Sequence, residues 1–123
     1  MPVHVKWQDD AHTVLEYRFE GNWNWNETRM AVGWADVLMR VVEHPLTLVL
    51  HVQETDDIPH GAWDHLVNAA PHTHHRIRRI VALGATRNVR FVGELFHRIY
   101  GVLPEYRETV VEPLGATTPV SVA

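Results

Sequence analysis

Residues 46–62 read LTLVLHVQETDDIPHGA, and the fold turns on how the first seven are understood. "LTLVLHV" is almost continuously apolar, rich in leucine and β-branched residues, and short. A strand with one wet face would alternate apolar and polar residues. This run does not, so it is expected to be covered on both faces, as strands of a parallel sheet are. The acids that follow, Asp56 and Asp57, suit a loop, and Pro59 and Gly61 suit a helix entry. A buried strand handing over to a helix is the repeating unit of α/β folds.

Toward the N-terminus, Val3–Trp7 and Thr13–Phe19 carry apolar residues at alternating positions around the turn-forming "QDDAH". They read as two paired antiparallel strands, with Gly21 and Asn22 closing the second. Asn24 can then cap a helix, and Glu27 three residues on completes a capping box. Ala31, Trp34, Ala35, Leu38, Val41 and Val42 recur at three- and four-residue spacing and define its expected inward face. His44 suits the negative end of that helix, and Pro45 stops it.

Toward the C-terminus a second helix is expected from Gly61 to His72, with Trp63, Leu66, Val67 and Ala70 inward. "IRRIVALGA" is another apolar strand ending at Gly84. "TRNVRFVGELFHRIYG" is a third helix, with Val89, Val92, Leu95, Phe96 and Ile99 on one face and Gly101 as terminator. Thr109–Glu112 reads as a short last strand, and the uncharged residues 113–123 as a flexible or irregular tail. The expected order is therefore β-β-α-β-α-β-α-β. This is a single α/β domain over residues 1–112, its mixed sheet mostly parallel with an antiparallel first strand.

The 123 residues are enough for one domain with a real core. The absence of cysteine excludes disulfides, thiolate metal sites and cysteine nucleophiles, and fits a reducing compartment. Apolar runs fall far short of the roughly twenty residues a membrane span needs. "MPVHVKW" enters a strand pattern at once, so no signal peptide is expected and a cytoplasmic location follows. A formal net charge of −4 argues against non-specific nucleic-acid binding. Ten histidines would carry that charge through neutrality near the pI of 6.2 as pH falls.

The order of elements, with the wording of three stretches, resembles the STAS family of anti-sigma-factor-antagonist-like domains, in its divergent bacterial branch. The three are the capped helix after "FEGNWNW", the "LVLHVQETDDIPHGA" junction, and "IVALGATRNVRFVGELF". Leu48, Val49, Leu50, Ile58, Gly61 and Gly84 match the family pattern, and the resemblance spans residues 3–112. It implies a non-enzymatic, regulatory, protein-interaction module. In phospho-regulated members a serine or threonine at the start of the second helix accepts phosphate. Here that place reads Pro59-His60-Gly61, and the only serine in the chain is Ser121. Thr55 lies too far before the helix to replace it. The resemblance thus implies partner binding without that switch, and the usual last helix is replaced by the tail.

Ligand crevices in folds of this kind form outside the carboxyl ends of the strands. Two loops should share that edge: Thr55, Asp56, Asp57, Ile58, Pro59, His60, Gly61 and Trp63 in one, and Gly84, Thr86, Arg87 and Asn88 in the other. These residues are the expected surface for a protein partner, or for self-association as a homodimer. A small anionic or lipid ligand near the Gly84 loop is the alternative, since helix-entry amides with Arg87 and Arg90 favour anions. The loop lacks the glycines and lysine of a phosphate loop, which weighs against nucleotide hydrolysis. His60 with Asp56, Asp57 and Asp64 invites a metal-assisted hydrolase reading. Acids that cap backbone amides beside a helix start explain them more simply. His72, His74 and His75 read as solvated, and no cofactor or metal is expected. Trp23 and Trp25 read as packing around the helix entry and Trp34 as core. Phe91, Phe96, Tyr100 and Tyr106 are the aromatics to inspect for an exposed patch.

Overall fold

The computed structural model describes residues 3–55, 76–84 and 86–107. In chain order these form β1 (Val3–Trp7), β2 (Val14–Gly21), α1 (Trp25–Met39), β3 (Leu46–Thr55), β4 (Ile77–Leu83), α2 (Arg87–Tyr100) and β5 (Pro104–Arg107). The five strands make one mixed sheet in the order β1-β2-β3-β4-β5. β1 runs antiparallel to β2, and every other pairing is parallel. The α/β class and the antiparallel first strand are as the sequence predicts. The helix expected at 61–72, the strand expected at 109–112 and the tail lie outside the described residues.

The β1–β2 hairpin turns on Asp9. Its carboxylate accepts the amides of Thr13 (2.9 Å) and Val14 (3.0 Å) and the Thr13 hydroxyl. His12 takes a left-handed backbone (φ 56°) and stacks on Trp7 at 4.6 Å. Asn24 begins α1 with both halves of the capping box made: its side chain accepts the Glu27 amide (2.8 Å), and Glu27 accepts the Asn24 amide (2.9 Å). α2 starts on the Thr86 hydroxyl, which accepts the Val89 amide, and ends at Gly101 in a left-handed cap (φ 76°).

Both helices cover one face of the sheet. Leu15, Tyr17, Phe19, Leu48, Leu50, Ile80 and Ala82 pack there against Val32, Ala35 and Met39 of α1 and Val92, Leu95, Phe96 and Ile99 of α2. An aromatic chain links the layers, from Trp25 and Trp23 through Phe19 and Tyr17 to Phe96 and Tyr100. On the opposite face Val14, Val49, Val81 and Leu83 form a second buried cluster. β3 is therefore apolar toward both faces, as its unbroken run requires.

Three expectations are corrected. Trp34 and Val41 do not face the core: they are 55% and 72% exposed. The buried set of α1 is Trp25, Thr28, Ala31, Val32, Ala35, Asp36 and Met39, so the inward face is rotated from the one expected. Apolar spacing alone does not separate the two faces, because α1 carries apolar residues on two sides. α1 also ends at Met39 rather than running to Pro45. The β-branched pair Val41–Val42 leaves the helix, turning Val42 inward and Val41 out. Finally, the chain forms a strand at Pro104–Arg107, where none was expected. Proline is admitted there as the first residue of a sheet-edge strand.

Candidate functional site at the strand ends

The parallel register brings Gly21, Thr55 and Gly84 to one end of the sheet. Gly21 and Thr55 are partners across β2 and β3, and His51 is the partner of Leu83 across β3 and β4. Gly84 thus lies level with Val52, and β3 runs three residues, about 10 Å, further out to Thr55. At Gly84 the backbone has φ 111°, a conformation glycine adopts without penalty, and its amide donates to the Arg107 carbonyl at 2.6 Å. That bond ties the loop to β5. Thr86 and Arg87 are exposed at the mouth of α2, and Asn88 is half-buried. Thr86 is engaged as the cap. Asp56, Asp57, Ile58, Pro59, His60, Gly61 and Trp63 lie outside the described residues.

The start of α1 meets the N-terminal part of α2 at this end, with Trp25 against Phe91 at 6.2 Å. Arg90 lies over the Tyr106 ring at 4.7 Å, and the Tyr106 hydroxyl reaches the Arg90 carbonyl and Glu94 at 3.4 Å each. Burial and the neighbouring Glu94 raise the Tyr106 pKa. Gly93 allows this: a Cβ there would lie 2.7 Å from the Tyr106 hydroxyl and 2.8 Å from its ring. Of the four aromatics inspected for a patch, Phe96 and Tyr100 are core, Tyr106 is half-buried, and Phe91 is exposed.

Sequence reasoning missed the polar groups inside the sheet. Glu16 and His51 are both buried on the second face, His51 Nε2 3.3 Å from the Glu16 carboxylate. Lys6 and Arg18 lie 3.9 and 3.8 Å from the same carboxylate. His51 lowers the Glu16 pKa by hydrogen bonding; burial opposes it, and the charges of Arg18 and Lys6 add to the lowering. The signal was present: a histidine inside "LVLHV" is a polar group in a buried strand, and the register sets a carboxylate one strand away, 3.3 Å from its Nε2. Farther along this face Arg79 grips Glu105 with two bonds of 2.8 and 3.0 Å, and Arg107 stands at 3.4 Å. On the helix-covered face the Tyr17 and Tyr100 hydroxyls meet at 2.9 Å, tying β2 to α2.

Among the described residues no three His, Cys, Asp or Glu side chains are placed to hold a metal ion, and no helix is long and apolar enough to cross a membrane. No family model matches the chain. No curated protein matches it either. Among solved structures it is similar to a chain in the crystal structure of the diguanylate cyclase SiaD in complex with its activator SiaC from Pseudomonas aeruginosa. That likeness has 14% identity and a TM-score of 0.50, over 86% of this chain and 89% of that one. At this identity it establishes a shared α/β fold.

Proposed function

We propose that the chain is a non-enzymatic regulatory module of the STAS-like type. On this reading it binds a protein partner through the strand-end edge formed by Thr55–Trp63 and by Gly84, Thr86, Arg87 and Asn88. The observation that carries the reading is the fold: a near full-length likeness to a chain from a complex between an enzyme and its activator. The residue pattern of the strand–helix junction supports it independently. The STAS-like resemblance assigns Pro59-His60-Gly61 to the place of the phosphoacceptor, so partner release is controlled by something other than phosphate on that corner. A cytoplasmic setting fits the cysteine-free composition.

The test is a purified complex with an identified partner. Asp57→Lys and Arg87→Glu reverse charge on the two loops and should each weaken that complex about tenfold or more while leaving the fold intact. A genuine complex indifferent to both substitutions places the binding face elsewhere.

A further inference from the structure

The geometry points to a second interaction surface, at the other side of the sheet, made for a second copy of this chain. It is distinct from the strand-end edge and does not depend on the reading given for it. α1 is apolar on two sides. Opposite its buried face Met30, Trp34 and Val37 form a stripe at four- and three-residue spacing, continued by Val41 just past the helix end. All four are about half exposed or more: 63%, 55%, 48% and 72%. Such a helix is expected where something covers its outer side.

The stripe does not stand alone. With Val3 and Val5 of β1 it borders an apolar groove of about 480 Å³, roomy enough for large side chains. Among the described residues β1 is an edge strand, and its hydrogen-bond pattern shows which groups it offers. The Gln8 amide donates to the Val14 carbonyl at 2.7 Å, in register with Trp7 opposite Leu15. Bonded pairs alternate along an antiparallel ladder, so His4 and Lys6 spend their backbone groups on β2. Val3, Val5 and Trp7 turn theirs outward.

Antiparallel pairing of β1 with β1 of a second copy, centred on Val5, satisfies those outward groups in one register. Val5 then meets its own counterpart and Val3 meets Trp7. The same two-fold axis brings the two α1 stripes and grooves to one side of the extended sheet. The contact is isologous, so it closes at two copies. The four exposed side chains offer on the order of 450 Å² of apolar surface, and a five-residue strand edge adds roughly 200 Å². Two such faces can bury at most about 1,300 Å² in total, within the range of stable specific interfaces. His4 and Lys6 point to the far face of the sheet and lie outside the apolar contact.

Sedimentation velocity on the full chain, well above the pI at pH 8, decides the matter. The wild type should sediment as a dimer at about 100 µM. Trp34→Glu puts a charge in the contact without touching the core. Val5→Pro removes an outward amide that bonds nothing in β2. Each should raise the dimer dissociation constant about a hundredfold, with the melting temperature of Trp34→Glu unchanged at dilutions where the wild type is monomeric. A wild type that stays monomeric at that concentration overturns the proposal, as does a dimer that survives both substitutions. A monomer whose native mass spectrum carries a small apolar molecule, displaced by Trp34→Glu, assigns the groove to a ligand instead and equally overturns it.

Discussion

Glu16 sits between Leu15 and Tyr17 in an alternating strand, a pattern that ordinarily sends the polar residue to water. Here the second face is buried too, and the Glu16 pKa is lowered with His51 3.3 Å from its carboxylate and Arg18 and Lys6 near. A carboxylate whose pKa is lowered on folding stabilises the fold above the ordinary carboxylate range, and that contribution is lost as pH falls through the lowered value. Glu16→Gln keeps the shape and removes the charge. It should cost about 1–3 kcal/mol at pH 7, with the difference from wild type shrinking as pH drops below 4. A difference independent of pH would deny the ion pair its role. The Tyr17–Tyr100 contact invites a double-mutant cycle. Either Phe substitution alone leaves a buried hydroxyl unpartnered and should cost about 1–3 kcal/mol, whereas the double substitution should cost less than the sum. Burial raises both tyrosine pKa values, so both remain neutral hydroxyls, one donating to the other, across the working range.

At the scale of elements, legibility followed how local the cause is. The capping box of α1, the terminator Gly101 and the inward face of α2 depend on residues within one or two turns, and the sequence pattern predicts each. α1 shows the limit. Its sequence holds two apolar stripes, and nothing local says which one meets the sheet, so the spacing points Trp34 to the core whereas Thr28, Val32 and Asp36 are buried instead. β5 is not visible in the sequence because Pro104 and Glu105 have low strand preference, and only pairing with β4 makes a strand of Pro104–Arg107. Gly93 is another case of long-range control. Gly93→Ala gains up to about 1 kcal/mol of helix propensity but forces the Tyr106 ring away. We expect a net loss of about 1 kcal/mol in the wild-type background. With Tyr106→Leu the same substitution should become neutral or stabilising. Thermal melts of the four chains check this, and a loss that persists without the Tyr106 ring would contradict the steric account.

For the whole molecule, the arrangement separates two edges. The carboxyl ends of β2, β3 and β4 gather Gly21, Thr55 and Gly84 at one end, with the starts of both helices beside them. The β1 side carries the exposed stripe and the groove. The first was foreseeable from sequence because parallel strands followed by helices always leave their loops at the carboxyl end. The second was not, because an exposed stripe is recognised only once the buried one is known. On the proposed reading, a partner at one edge and a second copy at the other would not compete. The partner-binding edge is tested by the mass of the complex, measured by light scattering after size exclusion, for wild type, Asp57→Lys and Arg87→Glu. The account predicts a stoichiometric complex with the wild type and free components with either variant. A complex of undiminished mass in both variants would contradict it.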